Sequence, residues 1–322
     1  MRVLVVGGAG YIGSHMSRAL SAQGHEVDVL DNLSTGHREA VRWGPLHEVD
    51  LRDASRVEAV LSKHRFDAVM HFGALSIVKE SISDPYAYYQ CNVTGTANLL
   101  RAMQLHGPDK LVFSSSAAIY GEPCCDVIHE EHPKIPINPY GATKLTVERI
   151  LADASAAYGL RSTALRYFNA AGATPDGEIG ESHQPESHLI PNALRAALGQ
   201  GPPLQVFGDD YPTPDGTCVR DFIHVEDLVE AHMLALNVLR SGAVAFNLGN
   251  GQGFSVREVI AAVGEVTGLE VPHEISPRRL GDPAVLVATS RKARRDLGWR
   301  PAFSSLHAII ETAWKWHRAP RY

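Results

Sequence analysis

The 322-residue chain contains no run of 18 consecutive apolar residues, so no segment reads as a membrane-spanning helix. Its first residues, Met1-Arg2-Val3-Leu4-Val5-Val6-Gly7, reach glycine too soon for the apolar core of a secretory signal. Basic residues are not massed either. The formal net charge is −6, without a block of five or six lysines or arginines, which argues against nucleic acid as a partner. Cysteine is scarce: Cys91, Cys124, Cys125 and Cys218 are spaced for neither a zinc finger nor a disulfide framework, and the adjacent pair is poorly placed for an unstrained bridge. These read as reduced thiols of a cytoplasmic protein. Internal repeats and low-complexity tracts are missing as well. What remains is an ordinary soluble composition, 44% hydrophobic and 20% charged, long enough for a large α/β domain and a smaller one.

In the first half, short β-rich runs alternate with longer helical patterns. Val3–Val6, Glu26–Leu30, Val69–Phe72 and Leu111–Phe113 read as buried strands, with a weaker one around Val49. Between them, Ile12–Gln23, Ser55–His64 and a long segment from Tyr86 to about His106 read as helices, followed by Tyr140–Tyr158 and the strand Thr163–Phe168. This alternation predicts a Rossmann-type, doubly wound parallel sheet with a smaller C-terminal α/β domain. The expected division is 1–169 for the dinucleotide-binding part and 170–322 mainly for substrate. Residues 222–240, a strand-like Phe222-Ile223-His224 and the helix Asp227–Leu239, are expected to return to the first part. Further helices are expected at Ile190–Leu198, Val256–Thr267 and Ser304–Trp316, and Gly/Pro/Asp/His-rich loops at 170–187 and 207–218.

Gly7, Gly10 and Gly13 make a G-x-x-G-x-x-G between the first strand and the first helix. The first glycine permits a tight turn, the second lets backbone approach a pyrophosphate, and the third lets helix and strand pack. Free N–H groups at the helix start then face the phosphates. Asp31 closes the second strand 18 residues past Gly13, where a carboxylate can accept the adenosine ribose hydroxyls and repel a 2′-phosphate. That favours NAD over NADP, although Arg38 stands nearby. The strand Leu111–Phe113 runs into Ser114-Ser115-Ser116 at the carboxyl end of the sheet, where ligands bind. Twenty-four residues after Ser116 comes Tyr140, with Lys144 one helical turn further on the same face. An ammonium and an oxidised nicotinamide beside a phenol favour the phenolate, making Tyr140 a general base, with Ser116 holding the substrate oxygen and Lys144 the nicotinamide ribose.

Together these motifs resemble the extended short-chain dehydrogenase/reductase family, and most closely its UDP-hexose 4-epimerases, over nearly the whole chain. The resemblance continues in His71-Phe72-Gly73-Ala74 with Val78-Lys79-Glu80-Ser81 (Lys79 replacing a usual glycine), in Asn92-Val93-Thr94-Gly95-Thr96 and in Leu165-Arg166-Tyr167-Phe168-Asn169. It implies NAD contacts at Tyr11, Ile12, Asp31, Asn32, Asp50, Leu51, Phe72, Ser76, Asn92, Tyr140, Lys144 and Phe168. It implies UDP-sugar contacts at Asn169, the turn Ser187-His188-Leu189, Val206, Phe207, Arg220, Arg279 and Asp282. His188 stands where asparagine is common in the family. Leu286 occupies the position that helps set the permitted size of the sugar's C2 substituent. The arginines of Val219–Val225 and of Arg278–Asp282 suit a bidentate diphosphate clamp. Asp227 reads as a helix cap. His129-Glu130-Glu131-His132 has the wrong spacing for a metalloprotease-like helix, and no metal site is assigned. Trp314 and Trp316 read as anchors of a terminal helix.

The activity so implied is interconversion of UDP-glucose and UDP-galactose through a 4-keto intermediate, with NAD tightly held, in a homodimer formed through the helices near 86–106 and 140–158. Three rivals stand beside it. One is a 4-epimerase of another UDP-sugar (N-acetylglucosamine, xylose or a uronic acid). A dehydratase or decarboxylase is a second, against which Ser116-Ala117-Ala118 stands in place of Thr-Asp-Glu. The third is a non-catalytic NAD-sensing regulator, which would have no need of a proton relay.

Overall fold

The computed structural model describes residues 1–125, 127–239, 241–279 and 282–322. Apolar runs bounded by turn residues form β1 (Arg2–Val6), β2 (Glu26–Asp31), β3 (Leu46–Glu48) and β4 (Ala68–His71), separated by the amphipathic helices α1 (Tyr11–Ala22) and α2 (Ala54–Lys63). Asp53 starts α2 by accepting the N–H of Arg56. The short helices α3 (Val78–Ser83) and α4 (Pro85–Tyr88) lead into α5 (Gly95–His106), β5 (Lys110–Ser116), α6 (Pro139–Tyr158) and β6 (Arg161–Tyr167). Asn138 caps α6, Pro139 occupies its first turn, and Gly159 ends it in the left-handed conformation.

Then come β7 (Asn169–Ala171), α7 (Leu189–Ala197), β8 (Leu204–Phe207), β9 (Val219–His224), α8 (Val225–Asn237) and β10 (Ala243–Leu248). The chain ends with β11 (Gly253–Ser255), α9 (Val256–Thr267), β12 (His273–Ser276), β13 (Val285–Leu286), α10 (Arg291–Asp296) and α11 (Leu306–Arg318).

One seven-stranded sheet has the order β10-β6-β5-β4-β1-β2-β3, and every pair in it is parallel. This is the doubly wound arrangement expected from the alternation of strands and helices, and the order reverses beside β1, where β4 follows on the other side. Alternate residues feed two apolar layers. Val3, Val5, Met16 and Leu20 join Leu228, Val229 and Trp299 on one face; Leu4, Val6, Val57, Leu99, Met103 and Leu151 fill the other. A second assembly pairs β9 with β7, β11 and β13, and β8 with β12, over a core shared by α7, α9 and α11.

The structure departs from the sequence reading at several points, among them the short strands β7, β8 and β11–β13 and the four that follow. The segment 86–106 is not one regular helix: α4 and α5 are joined by a π-helical turn at Tyr89–Thr94. That turn directs Asn92 inward, where its side chain bonds Leu75 N (2.8 Å), Leu75 O (3.0 Å) and Thr143 Oγ1 (3.1 Å). The serine run does not follow β5 but forms its last residues, with Ser116 opposite Tyr167. The edge strand β10 is absent from the sequence reading although five of its six residues are apolar; in the fold only Phe246–Leu248 are buried. Finally, Asp227 does not cap α8. His224 does, accepting the N–H of Glu226, while Asp227 lies in the first turn and accepts the N–H groups of Ala302 and Phe303.

Candidate active site

The glycine loop lies between β1 and α1. Gly7 has φ +78°, and a Cβ there would lie 2.5 Å from the Gly73 nitrogen; a Cβ on Gly13 would lie 2.1 Å from the Gly7 carbonyl oxygen. These two glycines are demanded by the chain itself. Gly10 is different. Its backbone is extended, and an added Cβ would meet only the Gly7 oxygen, at 3.4 Å. Among the described residues nothing needs glycine at that point, which leaves room over the helix start for a ligand. Gly10 also caps α1 without a side chain, leaving the helix start open to an anion.

Asp31 ends β2 and is half-buried; desolvation pushes its carboxyl up. It accepts the N–H groups of Ala9 (3.0 Å) and Leu33 (2.8 Å), which leaves further lone pairs, and no salt bridge to it forms among the described residues. Arg38 is turned to Glu48 and does not offset the carboxylate. These residues fit an adenine dinucleotide with free ribose hydroxyls. Asn32 donates to Asp50 (2.9 Å), whose carboxyl is pulled down chiefly by Arg52. Leu51 packs under Gly73 and Gly95. Ile12 and Phe72 lie against the core, Phe72 near His232, while the Tyr11 hydroxyl reaches back to the Gly172 carbonyl (2.6 Å). Ser76 is exposed at the rim. The inward amide of Asn92 is spent on Leu75 and Thr143, so it braces the 72–76 segment.

Ser116, Tyr140 and Lys144 come together at the carboxyl end of β5 and the start of α6. Ser116 bonds Tyr140 and accepts the N–H of Ala118 (3.1 Å). Lys144 is buried; its ammonium donates to the Ser114 carbonyl (2.8 Å) and lies 5.8 Å from the centre of the Tyr140 ring. Burial lowers its pKa to about 8. Burial also pushes the Tyr140 phenol above its ordinary value, opposed by the Ser116 hydrogen bond. The expected lowering by Lys144 is therefore not met in the protein alone. The ammonium is held by a carbonyl, and a cationic ligand beside the ring is what remains to favour the phenolate.

Around this cleft, Asn169 donates to the Asp221 carbonyl (3.1 Å). Arg220 pairs with Asp282 and donates to the carbonyls of Val219 and Pro283, both at 2.9 Å, so much of its fork is already engaged within the chain. The Arg279 guanidinium lies 3.8 Å above the centre of the Phe207 ring. Val206 faces inward among Tyr211, Cys218 and Val256, which leaves its backbone as the available part. Leu189 opens α7, and Leu286, opposite Arg220 in the β13–β9 pairing, shares an apolar cluster with Phe168, Ile119, Tyr120 and Ile128. The residues expected on the cofactor side and those expected on the sugar side thus meet at Phe168 and Leu286. Cys91, Cys124, Cys125 and Cys218 are free thiols.

Two groups escaped the sequence reading. Arg166 and Glu148 form a buried ion pair (2.6 Å) that also takes the hydroxyls of Ser115 and Tyr120, bracing β5, α6 and β6 behind the serines. No spacing rule links a strand arginine to that helix. Glu181, His183 and Glu186 surround His188; burial by itself would push the Glu181 carboxyl up, but His188 and His183 hold it at about 2. A repeated Glu-Ser-His, at 181–183 and 186–188, was the available signal.

A parallel doubly wound sheet, a glycine cradle after β1 and a Ser–Tyr–Lys set beside it define an enzyme class, the extended short-chain dehydrogenase/reductases. The model of the NAD dependent epimerase/dehydratase family matches residues 3–249, and the chain belongs to that family. It is 52% identical over 320 residues to the UDP-glucose 4-epimerase of Halalkalibacterium halodurans, covering 99% of this chain and 96% of that protein. The crystal structure of UDP-glucose 4-epimerase from Brucella ovis in complex with NAD matches with a TM-score of 0.94 at 51% identity, covering 97% of each chain. That of the Bifidobacterium longum enzyme in complex with NAD+ and UDP matches with a TM-score of 0.95 at 37% identity over 99% of each.

Proposed function

We infer that this chain is an NAD-dependent 4-epimerase that interconverts UDP-glucose and UDP-galactose. The observation that carries the reading is the meeting of Ser116, Tyr140 and Lys144 beside the glycine cradle, in a chain about half identical along nearly its whole length to a UDP-glucose 4-epimerase. Bound NAD supplies a hydride acceptor that later becomes the donor, and its positive ring favours the phenolate.

In the proposed mechanism, Tyr140 removes the proton from the sugar's 4-hydroxyl while Ser116 holds that oxygen, and Lys144 secures the ribose beside them. The uridine diphosphate end is assigned to Asn169, Leu189, Val206, Phe207, Arg220, Arg279 and Asp282, with His188 at the turn before α7. Held by its nucleotide, the 4-keto sugar turns to present its opposite face. Tyr140 then returns the proton to O4, while hydride returned to the face of C4 now presented would invert that carbon. Ala117 and Ala118 follow Ser116 where water loss would need an acid and a base, which favours epimerisation over dehydration. NAD is assigned to Gly7, Gly10, Tyr11, Ile12, Gly13, Asp31, Asn32, Asp50, Leu51, Phe72 and Phe168, with Asn92 and Ser76 holding the adjoining segment.

The test is direct. Purified protein carries NAD and interconverts the two UDP-sugars without added reductant; Tyr140→Phe keeps its fold but loses about 10²–10⁴-fold in kcat. Full activity in that variant, measured by a coupled assay, refutes the base assignment. A panel of UDP-sugars separates this reading from 4-epimerases of other sugars.

We also propose a homodimer. Ile82, Tyr86, Tyr89, Leu105 and Tyr158 are exposed along α3, α4, the π turn, α5 and α6, Tyr86 to 79%, an apolar series that a partner copy would cover. Light scattering on the purified chain checks it. No helix among the described residues is long and apolar enough to cross a membrane, and the free thiols support a cytoplasmic location.

A further inference from the structure

We propose that Glu181, His183, Glu186 and His188 form a binding site for one divalent transition-metal cation, of which zinc fits best. Each residue offers one ligand atom, and the four atoms lie within 4.8 Å of one another. Four bonds of about 2.0 Å in a tetrahedron require ligand atoms about 3.3 Å apart. His183 Nδ1 lies 3.2 Å from Glu181 Oε1 and 3.9 Å from Glu186 Oε2, while His188 Nδ1 and Glu181 Oε1 are closer still. Small rotations of the side chains therefore suffice to seat an ion.

Charge points the same way. The Glu181 and Glu186 side chains are only 2% and 3% exposed, and among the described residues neither meets a lysine or an arginine. Two enclosed carboxylates need positive charge from the histidines or from a cation. The other cluster of similar make-up, Asp28 with His47 and His64, lacks that need, because Arg2 already grips Asp28 at 2.8 and 2.9 Å. Two imidazoles and two carboxylates suit zinc, whereas calcium and magnesium prefer oxygen alone.

The ligands are also held in place. Glu186 Oε1 accepts the N–H groups of Ser187 (2.8 Å) and His188 (2.9 Å), leaving Oε2 for the ion. The Trp316 indole donates to the Glu181 carbonyl (2.8 Å), and a His37 ring nitrogen meets the Ser182 carbonyl (3.0 Å). Such outer contacts orient a metal site. Bound through Nδ1, His188 would keep Nε2 free, and the loop that starts α7 would be pinned to α11 and to the turn before Arg38.

Chelator-treated full-length protein, retaining its dinucleotide, is dialysed against zinc chloride and its metal measured by mass spectrometry; cobalt chloride serves as a spectroscopic probe. One zinc per chain and the intense visible bands of tetrahedral cobalt are expected. The thermal midpoint should rise by about 5 °C at a hundredfold excess over Kd. Glu181→Gln and His183→Gln should each weaken zinc binding at least about tenfold, and His64→Gln should leave it unchanged. If Glu181→Gln fails to fold, His183→Gln, in a half-buried position on the loop, decides. Substoichiometric zinc in the wild type, or undiminished binding in His183→Gln, overturns the proposal.

Discussion

Gly13 and Gly10 of the nucleotide loop should separate when each is replaced by alanine. At Gly13 the new methyl would lie 2.1 Å from the Gly7 oxygen and 2.8 Å from Gly7 C and Gly8 Cα. All of these are backbone atoms that cannot swing aside, so at least about 3 kcal/mol of stability should be lost, or no soluble protein obtained. At Gly10 the backbone has φ −83° and ψ 177°, which alanine adopts freely, and the nearest protein atom stands at 3.4 Å. The variant should fold, losing about 0.5–1 kcal/mol because alanine is the poorer N-cap. Its methyl would instead occupy the space over the helix start where the pyrophosphate approaches. An overpacked contact worth about 1–3 kcal/mol corresponds to roughly 5- to 150-fold weaker binding. Urea unfolding and the NAD content of purified protein, followed by titration calorimetry, read the two effects separately. Gly10→Ala protein that keeps wild-type NAD affinity, or that unfolds like Gly13→Ala, refutes the reasoning.

Other consequences follow from the same structure. Burial holds His15 and His232 at about 4, and His71 and His224 at about 3, so all four stay neutral in the fold. The unfolded chain binds these protons below about pH 6.5, so their contribution is complete above that pH and drains away as the pH falls towards 4 and 3. Each adds up to about 1.4 kcal/mol per pH unit; in urea titrations, His232→Gln should make the slope between pH 6 and 5 shallower by that amount, and an unaltered slope counts against it. Leu286→Ala should raise kcat/KM for UDP-N-acetylglucosamine relative to UDP-glucose by about tenfold, since removing methyl groups at the sugar end makes room worth 1–3 kcal/mol or so; an unchanged ratio removes Leu286 from the pocket. Arg220→Lys should raise KM about tenfold with kcat changed less than about twofold, because a lysine cannot span Asp282, two carbonyls and a diphosphate. A selective fall in kcat would point instead to distortion at Tyr140.

Much was legible in the sequence, because the signals are local. Strand period, helix period and turn residues placed β1, α1, β2, β4, β5 and α6 to within a few residues, and the glycine spacing between β1 and α1 announced a nucleotide loop. Tyr140 and Lys144 share a helical face whatever surrounds them, so their association needed no fold. What lay beyond reach depends on residues far apart in the chain. Only folding decides that Lys144 spends its ammonium on Ser114, that Arg220 meets Asp282 and that Arg166 is buried against Glu148, because electrostatic partners are chosen by proximity in space. The His188 environment is nearer in sequence, yet it too closes only when the loop folds Glu181 and Glu186 around that ring. Periodicity is written along the chain; burial, and with it the lowered proton affinities of His15, His71, His224, His232 and Lys144, exists only once the layers have packed.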